Sequence, residues 1–134
     1  MRVLLVDDHP LMHELMPEVL RKALGPVEVV AVRDLEAAFQ QLAHNKAPDL
    51  ALLDLGLPGH AGVDTLRRFR WKFASVPVVV VSSTEDEASM RVARKMGAKG
   101  YIPKSLAADK MVDALKQVVA GETFFPGLDD KDAP

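Results

Sequence analysis

A chain of 134 residues with no cysteine and a net charge of −2 excludes several classes at once. It has no thiols for a disulfide scaffold, a thiolate nucleophile or a cysteine-based zinc site. Its 17 basic and 19 acidic residues offer no global basic footprint for nucleic acid, and its longest strongly apolar stretch, VPVVVVS, is too short to span a bilayer. With no signal-peptide pattern at the start, the expectation is one soluble, cytoplasmic domain that binds neither membrane nor nucleic acid by itself.

The first element is RVLLV (2–6), a continuous apolar run that ends in two adjacent acids, Asp7 and Asp8. Pro10 then opens a helix with Met12, Met16, Val19 and Ala23 on one face. Pro17 falls inside it, which removes one intrahelical hydrogen bond and predicts a bend. VEVVAV (27–32) is the second strand. Asp34 is placed to cap the second helix, with Leu35, Ala38, Phe39 and Leu42 turned inward. DLALLDL (49–55) is the third strand, and Leu66, Phe69 and Phe73 form the stripe of the third helix. That stripe leaves the basic RRFRWK segment (67–72) as a solvated face.

PVVVVS (77–82) is the fourth strand. TEDE, Thr84 to Glu87, has the spacing of a capping box and predicts a helix that Gly97 closes. KGYIP (99–103) is the fifth strand, followed by a helix with Met111, Leu115 and Val118 inward and Gly121 at its end. The folded unit is therefore expected over 1–121, with 122–134 as a tail or the start of a linker. From Pro126 onward the chain is polar and lacks apolar period, so it is expected to be mobile and dispensable for folding.

Continuous apolar runs mark strands buried on both faces, and their alternation with helices predicts a doubly wound parallel sheet of (βα)5 order. Ligands gather at the carboxyl ends of such strands. There the sequence puts Asp7, Asp8, Asp54, Ser82, Ser83 and Lys104. Two like charges about 4 Å apart repel by about 4 kcal/mol at an effective dielectric of 20. Clustered carboxylates suit a hard divalent cation such as Mg2+, which offsets that repulsion. A carboxylate beside Mg2+, a hydroxyl and a lysine is equipped to attack phosphorus and carry an aspartyl phosphate.

Each residue also has a plainer reading. Asp54 fits a strand-end turn, Asp8 a cap for the helix at Pro10, Lys104 a surface lysine, Ser82 a small strand-end residue and Tyr101 a half-buried strand tyrosine. His9 and His13 are four apart with no third ligand to complete a metal set, so both are expected to face solvent.

VLLVDDHP, PDLALLDLGLPGHAGVD, VPVVVVSS and GAKGYIPKS, in this order, resemble the receiver domains of two-component response regulators. The resemblance implies a flavodoxin- or CheY-like five-stranded fold. It implies that Asp54 accepts a phosphoryl group from a histidine kinase or phosphotransfer protein. Asp8, Asp54 and the backbone carbonyl of Gly56 would hold Mg2+, with Asp7 acting through water. Lys104 and Ser82 would hold phosphoryl oxygens, and Tyr101 would take the place of a rotating aromatic. Gly56 and Thr84 stand at positions that govern phosphoryl lifetime in such domains. The motifs are most like those of receivers with a LuxR-type helix-turn-helix output, so a role in transcription regulation and a homodimer on phosphorylation are implied. The chain is expected to be a single-domain regulator or the receiver part of a longer protein. The alternative is a small Mg2+-dependent phosphatase using Asp54 as a transient nucleophile, although DLG lacks the D-x-D pattern of such enzymes.

Overall fold

The computed structural model describes residues 1–56 and 62–128; the middle of the GLPGHAG segment and the last six residues of the tail lie outside them. Apolar runs and helical stripes give ten elements: β1 (Arg2–Val6), α1 (Pro10–Leu24), β2 (Glu28–Val32), α2 (Leu35–His44), β3 (Leu50–Leu53), α3 (Val63–Lys72), β4 (Val78–Ser82), α4 (Glu87–Lys95), β5 (Gly100–Pro103) and α5 (Ala108–Val119). The strands form one sheet in the order β2-β1-β3-β4-β5, and every neighbouring pair is parallel.

Strand alternation divides the core into two layers. Leu4, Val6, Leu53, Val80 and Tyr101 face α2, α3 and α4, where Leu35, Leu66, Phe69 and Met90 meet them. Val3, Leu5, Leu52, Val79 and Ile102 face α1 and α5, against Met16, Leu20, Met111 and Leu115. Fully burying such a side chain is worth about 2 kcal/mol, so each helix is held by its stripe more than by its intrinsic propensity. The basic side of α3 turns outward as expected, with Trp71 89% exposed and Arg67 and Arg68 both paired to Asp64.

Local signals explain most boundaries. Asp34 caps α2 by accepting from the Ala37 N–H at 2.8 Å. Helix α1 runs on past Pro17. The expected capping box at Thr84 is corrected: α4 begins at Glu87, and its cap is Asp86, which accepts from the Ser89 N–H. Thr84 is drawn elsewhere, its N–H donating to Ser82 Oγ and its carbonyl accepting from the Tyr101 hydroxyl. Gly97 ends α4 at φ +93°, a conformation that a side chain disfavours.

One expectation about the sheet changes. β2 is an edge strand, so Glu28 and Ala31 are exposed instead of buried on both faces. β5 is the other edge, yet all four of its residues are buried. Its open side is covered by the chain after α5: Phe124 forms a parallel bridge with Gly100, the Tyr101 N–H donates to the Phe124 carbonyl at 2.7 Å, and the Phe124 N–H donates to the Lys99 carbonyl at 3.1 Å. Gly100 permits this approach, since a Cβ there would lie 3.3 Å from the Phe124 carbonyl and 3.2 Å from Val118. Phe125 and Leu128 pack on the core layer of α2 to α4, with the Arg94 guanidinium 5.8 Å from the Phe125 ring centre. The chain thus stays on the sheet beyond residue 121, and Leu128 packs on the core within the stretch from Pro126 that was expected to be mobile and dispensable.

Truncation after Gly121 removes the backbone hydrogen bonds of Phe124 to Tyr101 in β5 and to Lys99 just before it, together with three apolar side chains, Phe124, Phe125 and Leu128, that pack on the core. The melting temperature is expected to fall by more than about 5 °C. A thermal melt of the truncated chain within about 1 °C of the full chain would show that the strap contributes nothing.

Candidate functional site

Four strand ends and the residues just beyond them build one edge. Asp7, Asp54 and Lys104 each lie one residue past a strand, where their peptide groups still continue the ladder. The Asp7 N–H donates to the Val32 carbonyl at 3.0 Å, Asp54 to Val6 at 2.9 Å and Lys104 to Ser82 at 2.8 Å. These bonds fix the Cα positions of all three residues to the rigid sheet. Asp7 still closes the ladder with Val32 while Asp8 lies beyond β1, so the two acids need not point to opposite faces.

The edge brings Asp7, Asp8, Asp54 and Lys104 together. Asp7 is wholly buried and Asp54 is 2% exposed. Lys104 Nζ lies 3.0 Å from Asp7 Oδ2 and 3.3 Å from Asp54 Oδ2, bridging the two buried acids. The Gly56 N–H donates to Asp54 Oδ1 at 3.0 Å. Asp8 has no capping bond: the residue at the cap of α1 is His9, and Asp8 Oδ1 is buried without a hydrogen-bond partner. Burial raises the pKa of Asp54 above the ordinary carboxylate value. The Gly56 N–H pulls it down, the Asp7 charge raises it further and Lys104 lowers it.

Neither histidine is only a solvent-facing ring, although His9 keeps the exposure expected of it and His13 is partly buried. His9 is half exposed, but its Nδ1 lies 2.8 Å from Asp7 Oδ1, 3.3 Å from Asp8 Oδ1 and 3.5 Å from Asp54 Oδ2. His13, one turn into α1, places Nε2 2.6 Å from the Asp7 carbonyl oxygen and so braces the backbone that carries the acids. Their signal in the sequence is position alone. His9 sits between the acids and Pro10, where α1 must begin, and His13 follows at the helical spacing that returns to the same face, one turn into the helix.

Ser82 is 4% exposed at the end of β4, beside β3 in the sheet. Its Oγ accepts from the Thr84 N–H at 3.1 Å, and the hydroxyl keeps a proton of its own to donate. Tyr101 is wholly buried instead of half-buried, and its hydroxyl donates to the Thr84 carbonyl at 2.7 Å. Ser82 and Tyr101 are thereby joined through one residue of the loop after β4.

Three carboxylates face one ammonium, so the cluster carries excess negative charge. One ligand atom each from Asp7, Asp8, His9 and Asp54 lies within 4.8 Å of the others. The buried, donorless Asp8 oxygen and the oxygen-rich set fit a hard divalent cation. Among the described residues, no helix is long and apolar enough to cross a membrane.

Comparison with known proteins agrees with this architecture. Residues 3–116 match the response regulator receiver domain family. The chain is 34% identical over 125 residues to a glycerol metabolism activator of Pseudomonas putida, covering 93% of this chain and 57% of that protein. It is 36% identical over 120 residues to the nitrate/nitrite response regulator protein NarL of Escherichia coli K12, covering 90% of this chain and 55% of that one. It thus spans little more than half the length of these relatives. A LuxR family DNA-binding response regulator from Silicibacter pomeroyi superposes with a TM-score of 0.81 at 29% identity, covering 94% of this chain and 97% of that one. The chain therefore belongs to the response regulator receiver domains, with a flavodoxin- and CheY-like fold and relatives of the LuxR and NarL type.

Proposed function

We propose that this domain takes a phosphoryl group on Asp54 from the phosphohistidine of a histidine kinase or phosphotransfer protein and passes the change to a protein-interaction face. The observation that carries the reading is the convergence of Asp54 with two further acids and Lys104 on one sheet edge. A carboxylate oxygen of Asp54 forms a bond to phosphorus as the bond from phosphorus to the donor imidazole nitrogen breaks. The imidazole leaves with the electron pair, and Asp54 becomes an acyl phosphate. Bound Mg2+ supplies charge neutralisation for the incoming phosphoryl oxygens. Asp8, Asp54 and the Gly56 carbonyl are the residues proposed to hold it, with Asp7 acting through water.

The chain's own groups do the positioning. The Gly56 N–H fixes the Asp54 carboxylate, and the raised pKa of Asp54 reflects how sparsely water reaches it. Lys104 is shared between two acids, so it can turn from Asp54 toward a phosphoryl oxygen while Asp7 holds it in place. Ser82 donates its hydroxyl proton to another phosphoryl oxygen. The match to receiver domains, and the DLG segment at Asp54 in place of a D-x-D pattern, support a signalling module over a phosphatase acting on external substrates. The relatives' names support regulation of transcription as the output of the whole protein.

Ser82 also offers a route outward. Movement of its hydroxyl toward the phosphoryl group shifts Thr84, and Thr84 holds the Tyr101 hydroxyl. A bound group shifts an equilibrium only by its differential contacts with the two states, and these contacts are made only after phosphorylation. The face altered is α4, β5 and α5, proposed as the surface for output or for a homodimer.

Intact mass after treatment with a small phosphodonor and Mg2+ checks the acceptor. Wild type is expected to gain one phosphoryl mass and Asp54→Asn none; equal adducts on both would overturn the assignment. Amide exchange with beryllofluoride and Mg2+ checks the transmission. Changes are expected from Ser82 to about Leu115 and to stay small in α2. A response confined to the loops around Asp54 would mean that this face does not carry the signal.

A further inference from the structure

His9 stands closer to the acid cluster than any role assigned above requires. Its backbone N–H donates to Asp7 Oδ1 at 2.9 Å, and Pro10, with its fixed φ, follows at once, so the ring rises from an anchored base. Nδ1 then lies 2.8 to 3.5 Å from one oxygen each of Asp7, Asp8 and Asp54. Adjacent ligands of an octahedral ion with bonds near 2.1 Å stand about 3 Å apart. The nitrogen is therefore spaced from Asp8 and Asp54, the two carboxylates proposed to hold the cation directly, as a fellow ligand would be.

The proton inventory points the same way. Lys104 Nζ lies 2.8 Å from the same Nδ1, and an ammonium only donates. If Nδ1 carries its lone pair, it satisfies Lys104 but faces the Asp7 oxygen at 2.8 Å as a second acceptor. If it carries the proton, it satisfies Asp7 and opposes Lys104. Either tautomer leaves one close contact unsatisfied. An electron-pair acceptor shared by Nδ1 and the carboxylates takes up the nitrogen's lone pair and removes the acceptor–acceptor conflict with Asp7, and it releases Lys104 to the acids or to a phosphoryl oxygen.

We propose that His9 is a nitrogen ligand of the cation site, placed by its Nδ1 within ligand spacing of Asp8 and Asp54. The inference rests on the reading of that acid cluster as the cation site. Imidazole favours borderline ions, and affinity rises from Mn2+ to Ni2+ along the usual divalent series. The site should thus discriminate for Ni2+ or Mn2+ over Mg2+ more strongly than carboxylates and carbonyls alone do.

Untagged wild type, His9→Ala and Asp8→Asn are titrated calorimetrically with Mg2+, Mn2+ and Ni2+, and the Mn2+ forms are read by pulsed electron paramagnetic resonance. Wild type is expected to show coupling to a directly bound imidazole nitrogen, and His9→Ala to lose it. Loss of even an outer-shell partner costs a metal site about 10- to 100-fold, so Ni2+ affinity should fall at least about tenfold in His9→Ala while Mg2+ affinity changes far less. Absence of nitrogen coupling in wild type, with Mn2+ binding still weakened by Asp8→Asn, overturns His9 ligation and leaves the acid cluster as the cation site. A gain in Mg2+ affinity in His9→Ala without nitrogen coupling identifies the ring as an occupant that the cation displaces, which also overturns it. Unchanged Mn2+ affinity in Asp8→Asn overturns both readings.

Discussion

Everything at the functional edge follows from burying two carboxylates, Asp7 and Asp54, beside a third, with one lysine between the buried pair. The ligand atoms of the cluster lie within 4.8 Å of one another. At an effective dielectric of 20, each like-charge pair at that distance costs about 3 kcal/mol. Lys104 relieves part of this, and the Gly56 N–H stabilises one oxygen of Asp54. The rest stays as unspent attraction for positive charge, and that attraction gives the edge its proposed chemistry.

The fold keeps such a cluster assembled because its strain is spread over the most rigid part of the molecule. Asp7, Asp54 and Lys104 are each tied by a backbone hydrogen bond to the neighbouring strand, so repulsion cannot simply separate them. His13 braces the Asp7 carbonyl from α1. Lys104 depends in turn on β5, an edge strand whose outer side is closed by Phe124. The segment after α5 therefore matters to the site at a distance: it holds the strand that carries the only cation seen in the acid cluster among the described residues. The same strand carries Tyr101, whose hydroxyl reaches the loop of Ser82.

The sheet and the acid cluster were legible in the sequence because both rest on strong local signals. Continuous valine and leucine runs specify buried parallel strands, and residues that end such runs must share one edge whatever the strand order. Asp34 was legible as a cap for the same reason, since its neighbours offered no competing acceptor. Thr84 was not. A capping box was present by spacing, but Asp86 offers a charged acceptor and tertiary partners claim Thr84, so the helix starts later. His9, His13 and Phe124 were missed because their roles depend on long-range placement. The first two read as isolated imidazoles until α1 is docked, and Phe124 reads as tail until β5 is known to be an unpaired edge.

The central claim is that the cluster is held against its own repulsion and relieved by a divalent cation. Thermal melts of wild type and Asp54→Asn, across pH and with or without Mg2+, test it most directly. The folded-state pKa of Asp54 is raised, so its ionised form costs stability above that pKa, and the cost disappears as pH falls through it. Without Mg2+, Asp54→Asn should melt above wild type at neutral pH, and the gap should close on acidification. Mg2+ binding only the folded state should raise wild type more than the variant. A wild type that melts above Asp54→Asn without Mg2+ at neutral pH, and that does not respond to Mg2+, would contradict the account.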